Sequence, residues 1–234
     1  LSAFENYLVG HINEQDECIK QPLTGLEYMT DFNGLTFDEL PRQYVRRIKE
    51  TPIVVYTVEK GTPDPIVYNI FQRINTGGLH LNSQEIRHAL YVGKSTAMLR
   101  RLAESEEFLT VTQHSIDTER MTDCEYVNRF VAFTELKLTD YKGNIDGFLR
   151  MALKKVNDYD DINILRVERS FRRAMNYCQR IFGRYAFRKY NENWRRGPIN
   201  KALFESWSYV FSHMTDEEME RLSNKNDILL KRFQ

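Results

Sequence analysis

Six residues in one stretch have the types and spacing to hold a phosphate. Arg73, Asn75, Thr76, Gly77, Gly78 and Arg87 lie in the run FQRINTGGLHLNSQEIR, from Phe71 to Arg87. Glycines at these positions permit positive φ and close approach of a ligand to the backbone. The helix that begins just after them presents free amides and the positive end of its dipole, which favour anions. Arginines bracketing such a turn suit an anion or a nucleotide phosphate. A plain tight turn explains the two glycines equally well. Arg73 and Arg87 also suit a merely polar helix face, with Asn75 a C-terminal cap. No Lys-Ser or Lys-Thr follows the glycines, so the run is not a Walker-type loop.

A second set of residues suits nucleic acid. Between Arg166 and Lys201 there are eleven basic residues and two acidic ones, Glu168 and Glu192. The whole chain has a formal net charge of zero, so the remainder is acidic by the same amount. Phe171, Tyr177, Phe182, Tyr185, Phe187, Tyr190 and Trp194 interleave with the cations. Such a segment fits a phosphate backbone. Its arginines at 166, 169, 172, 173 and 180 fall on more than one helix face, so some must pair with the acidic remainder. Phe171, Tyr177 and Phe182 read as core rather than as base-stacking platforms. Arg188, Lys189, Arg195 and Arg196 lie in a loop-like stretch and are the DNA-contacting candidates. A metal-dependent nuclease working through Asp38 and Glu39 is the weakest option, because carboxylates are expected at a helix start in any case.

The elements that must position these groups are mostly helices. Residues Pro65–Ile74 carry Ile66, Val67, Ile70, Phe71 and Ile74 at helical spacing, which predicts a buried face containing Phe71 and Ile74. A second helix starts at Asn82. Asn82 as N-cap and Glu85 three residues on form a capping box, with Leu81 and Ile86 as a hydrophobic staple and Gly93 placed as the stop. Upstream, a short helix spans residues 1–10, a hairpin falls within residues 17–37, and a helix capped by Thr36 or Asp38 carries Pro41 in its first turn. IVVYTV at Ile53–Val58 is the clearest strand. From Met98 the pattern is helical: Tyr126–Leu136, Ile145–Val156, Leu165–Phe182 ending near Gly183, a helix opened by Pro198, and one capped by Thr215 and Glu218. The expected fold class is therefore α+β, mostly helical, with an α+β part over residues 1–115 and a helical part over residues 116–234.

Bulk properties agree with an ordinary globular chain: 234 residues, 41% apolar and 28% charged. Cys18, Cys124 and Cys178 are far apart and odd in number, which suits a reducing, cytoplasmic setting. No apolar run approaches a membrane span, so no membrane partner is expected. The chain opens at Leu1 directly into a helical pattern, which suggests a fragment.

The residues Ile70–Gly78, followed by Leu81-Asn82 and Glu85-Ile86-Arg87, resemble the N-terminal domain of GmrSD-type restriction proteins, a ParB/sulfiredoxin-like fold. Phe71 and Asn75 occupy that family's F-x-x-x-N motif. Gly34–Pro41, Arg129–Phe133, Ile181–Gly183 and Ala186–Arg188 resemble it too, so the likeness spans most of the chain. It implies DNA-directed work in phage defence, coupled to binding and hydrolysis of an NTP with Mg2+, and an HNH-type nuclease domain or subunit as partner. The family's D-G-Q-Q-R motif is missing, and the resemblance places the chain's start just after it. His11, His80, His88, His114 and His213 are scattered and form no HNH pattern. The chain by itself is thus expected to be inactive. The competing expectation is a non-enzymatic DNA-binding or protein-docking scaffold.

Overall fold

The computed structural model describes residues 2–12, 17–52, 57–59, 61–75, 80–191 and 193–232. The chain forms two compact units, Leu1–Glu59 and Lys60–Gln234. The boundary expected between residues 115 and 116 falls inside the second unit, where side chains on both sides of it share one core.

The first unit opens with α1 (Ser2–Leu8) and a two-stranded ribbon, β1 (His11–Ile12) antiparallel to β2 (Cys18–Ile19). The ribbon therefore lies earlier than the hairpin expected over residues 17–37. There, Leu23 N–H donates to Leu35 O (2.9 Å) and Gly34 N–H to Leu23 O (2.7 Å), a closed loop without strands. Thr36 and Glu39 cap a single 3-10 turn, Phe37–Glu39, through Thr36 N–H to the Glu39 carboxylate at 2.7 Å. Pro41 then serves as N-cap of α2 (Arg42–Glu50) rather than sitting inside its first turn. The strand expected at Ile53–Val58 lies mostly outside the described residues, and Thr57 and Val58 belong to no strand.

The second unit is helical: α3 (Asp64–Ile74), α4 (Ser83–Leu90), α5 (Lys94–Ala103), α6 (Glu106–Thr112), α7 (Thr122–Glu135), α8 (Ile145–Asn157) and α9 (Asp161–Phe182). A hairpin follows, β3 (Arg188–Tyr190) antiparallel to β4 (Arg196–Ile199), and then α10 (Lys201–His213), α11 (Asp216–Ser223) and α12 (Asn226–Arg232). Pro198 stands in β4, not at a helix start; Asn200 caps α10 by accepting Leu203 N–H at 3.1 Å. Proline is tolerated there because each strand of a two-stranded ribbon has a free edge. Gly93 does not end α4, whose C-cap is Tyr91. Gly93 starts α5, and a Cβ there would meet the Asn157 amide oxygen at 2.6 Å. Only glycine lets Asn157 reach in to bind Ser95 N–H (2.8 Å) and Tyr91 O (3.1 Å).

α9 is the spine. Val167, Phe171, Ala174, Met175 and Cys178 form its buried stripe at helical spacing. Phe171 meets Phe130 edge-on at 5.0 Å, and Phe204 meets Tyr126 at 5.1 Å and Phe187 at 4.8 Å. Around this core the arginines of α9 bind carboxylates on neighbouring helices: Arg166 to Glu135, Arg172 to Glu107, Arg173 to Asp216 and Arg180 to Glu220, at 2.5–2.7 Å. The cationic run therefore stitches α9 to α7, α6 and α11. No helix among the described residues is long and apolar enough to cross a membrane.

Candidate functional site

The Phe71–Arg87 unit is held by a closed set of polar contacts. Asn82 accepts from Gln84 N–H (2.8 Å) and Glu85 N–H (3.0 Å), and Glu85 accepts from Asn82 N–H (2.6 Å). The capping box is thus complete. Asn75 is not a free phosphate donor. Its amide nitrogen donates to Leu81 O at 2.7 Å and its amide oxygen accepts Leu81 N–H at 2.8 Å. Imitating a backbone bridge, it clamps the two ends of the turn together.

Arg120, which sequence reasoning missed, locks this clamp from outside. Its guanidinium forks onto both Glu85 carboxylate oxygens, at 2.8 and 2.7 Å, and donates to His80 O at 2.6 Å. Its own carbonyl accepts from the Asn82 side chain at 2.6 Å. The Arg120 fork is the main cause holding the Glu85 carboxyl below its ordinary range, with burial opposing it. The turn residues Thr76, Gly77 and Gly78 lie outside the described residues.

Arg87 is a correction to the expected phosphate set. It is 1% exposed, its Nη1 pairs with Asp146 and its Nε donates to Gln84 at 3.0 Å. A guanidinium so placed is committed to the junction of α4 with α8. Arg73 remains exposed, with no hydrogen bond or ion pair among the described residues.

Phe71 and Ile74 are also corrected: they are 38% and 64% exposed, and Tyr68 is the buried residue of α3. The helix docks on α8 through its other side. Tyr68 lies under the Arg150 guanidinium at 4.2 Å, and Asp64 pairs with Lys154. Asp64 and Tyr68 are four apart on one side; Ile66, Ile70 and Ile74 repeat at the same interval on the opposite side.

The second candidate set divides as well. Arg188 is 6% exposed and is withdrawn from the DNA-contacting residues. Its guanidinium donates to Gly197 O (2.9 Å), Thr112 O (3.3 Å) and Ser115 Oγ (2.5 Å), pinning the β3–β4 hairpin to the end of α6. Lys189, Arg195 and Arg196 are exposed. Arg196 is held by the Gln113 side chain and Arg184 O (3.1 Å), both neutral, and it has no carboxylate partner among the described residues. Lys189 and the Arg195 side chain have no carboxylate partner among the described residues. Arg184, also exposed, stands over the Tyr185 ring at 5.3 Å. Of the eleven cations between Arg166 and Lys201, five are in ion pairs and Arg188 is buried. Four of the other five, Arg184, Lys189, Arg195 and Arg196, gather at this hairpin; Arg169 stays on α9.

A pocket of about 420 Å³ lies between α4, α5 and the start of α7, lined by His88, Arg100, Glu104, Asp123 and Cys124 among others. Burial, then the nearby Arg100, lowers the His88 pKa, and burial raises that of Asp123. Burial also pushes the Cys124 thiol up to about 12, so it is no nucleophile at neutral pH. Among the described residues no group of three or more His, Cys, Asp or Glu side chains is placed to hold a metal ion. Compared with known proteins, the chain matches no family model, no curated protein and no solved structure.

Proposed function

We propose that this chain is the DNA-contacting, nucleotide-responsive part of a cytoplasmic restriction-type defence protein. The observation that carries the DNA side of the reading is the β3–β4 hairpin. There Arg184, Lys189, Arg195 and Arg196 have no carboxylate partner among the described residues, while four of the five arginines of α9 are in ion pairs. A cluster of four exposed cations without a carboxylate partner among the described residues attracts phosphates and releases their counterions. The nucleotide side rests on the resemblance of Phe71–Arg87 to GmrSD-type proteins, a ParB-like assignment that extends to the first unit. In this reading Arg73 meets a phosphate at the turn, and Asn75, Asn82, Glu85, Arg87 and Arg120 hold the turn's geometry. The described residues offer no carboxylate cluster for Mg2+, so no hydrolytic step is assigned to them.

The test is binding of single-stranded and duplex DNA by fluorescence anisotropy across a salt series. Binding that weakens steeply with salt, and is lost in Lys189→Glu/Arg195→Glu, supports the reading; salt-independent binding, or none, overturns it. A second reading, a non-enzymatic scaffold that docks a nuclease domain or subunit, draws on the exposed Ile66, Phe71 and Ile74 of α3. It would be favoured if Ile74→Glu abolished capture of that nuclease while DNA binding stayed unchanged.

A further inference from the structure

The tip of the β3–β4 hairpin carries more than charge. Tyr185, Tyr190 and Trp194 form an aromatic cluster, with Tyr190 and Trp194 stacked nearly parallel (9°) at 5.6 Å. Tyr185 leans on both, at 4.8 and 5.3 Å. Tyr190 is 7% exposed, and its hydroxyl donates to Leu230 O at 2.6 Å, so the ring under Trp194 is anchored to α12. Trp194 itself is 38% exposed.

The backbone at Trp194 is also held. Its φ is +58°, a left-handed conformation that an aromatic residue rarely adopts. Trp194 N–H donates to Asn191 O (2.8 Å), and the Asn191 side chain accepts Arg195 N–H (3.0 Å). The turn therefore holds a large ring partly in solvent, on a fixed aromatic floor, next to Lys189 and Arg195.

We propose that Trp194 is a stacking platform for an unpaired base, and that the hairpin's ligand is single-stranded or locally unpaired nucleic acid. The proposal rests on the reading of this hairpin as a nucleic-acid surface and narrows it. Flanking cations take the phosphates on either side of the stacked base, while a paired base inside a duplex keeps its face covered by its neighbours. This combination of aromatic face and cationic flanks is the general means by which proteins hold single strands without reading sequence.

The experiment uses the full chain and one mixed-sequence labelled oligonucleotide, single-stranded and annealed to its complement, followed by anisotropy. Base–aromatic stacking predicts that Trp194→Ala weakens single-strand binding by about fivefold or more and duplex binding by less than about twofold. Trp194→Phe retains most of the single-strand affinity, which shows that loss in the alanine variant is not a folding failure. Lys189→Glu/Arg195→Glu weakens both forms. If Trp194→Ala leaves single-strand binding unchanged, or weakens both forms equally, the stacking role is wrong while the nucleic-acid surface stands. If the unaltered chain binds neither oligonucleotide, both readings fail.

Discussion

Arg87 and Arg73 are both arginines beside the same turn, yet they stand in opposite environments. Arg87 is buried and paired with Asp146 and Gln84; Arg73 is exposed. Asp146 is partly exposed and can be solvated when the guanidinium is removed, so the loss is chiefly that of the buried Gln84 left unpaired, about 1–3 kcal/mol. Arg87→Ala should therefore destabilise the second unit by about that much, read as a lowered midpoint in urea. Arg73→Ala should leave the midpoint within about 0.5 kcal/mol, as surface changes usually do. If Arg73 meets a phosphate, its loss shows instead as lost nucleotide binding in isothermal titration. Asn75 belongs with Arg87, since both ends of its amide are satisfied by Leu81. Sequence alone could not separate these roles. Arg87 reaches Asp146 across 59 positions and Arg188 reaches Ser115 across 73, and periodicity says nothing of partners so distant. The bare fact of arginine near glycine looks the same whether the guanidinium faces solvent or core.

At the scale of elements, what was legible was local. The Asn82–Glu85 box closes within three residues, so its chemistry is written in adjacent positions and the start of α4 follows. The same holds for Thr215 and Glu218 at α11, where Thr215 N–H donates to Glu218 at 2.8 Å. The isoleucine repeat of α3 marks a side of the helix, not what covers it, and that side is exposed. Tyr68 and Asp64, the residues that find partners on α8, decide which side turns inward. The β3–β4 hairpin reads as a loop in sequence because its strands are short, and its anchor, Arg188, draws its partners from α6 and the residues just after it.

Glu85 joins cap and latch, which makes the latch sensitive to acid. The Arg120 fork and the Asn82 N–H favour its ionised form, so its folded pKa lies below the unfolded one. Its contribution is complete above the ordinary glutamate value of about 4.3 and is lost as pH falls through the lower folded value. Thermal melts of the unaltered chain should lose this share on acidification, and Glu85→Gln should flatten that part of the profile. An unchanged profile would mean that Arg120 does not hold the turn. Asn82→Ala should cost about 1 kcal/mol at neutral pH, the usual worth of such a cap, read from the urea midpoint.

At the scale of the whole molecule, zero net charge hides a division of labour. Ion pairs between α9 and helices α6, α7 and α11 take up four of the five arginines of α9 and tie the core together, leaving four cations at the hairpin without a carboxylate partner among the described residues. Exposed single pairs contribute little each, at about 0–1 kcal/mol, so breaking one of them should barely move stability. Reversing free cations at the hairpin should barely move it either, while changing the long-range field. The separation makes the central claim testable by one measurement: the salt dependence of duplex DNA affinity for the unaltered chain against Lys189→Glu/Arg195→Glu, with melting temperature as control. Counterion release at four cations predicts a slope of log affinity against log salt near about −3 to −4, shallower by about 2 in the double variant, at an unchanged melting temperature. A slope that is the same in both proteins would contradict the hairpin as the DNA-contacting surface.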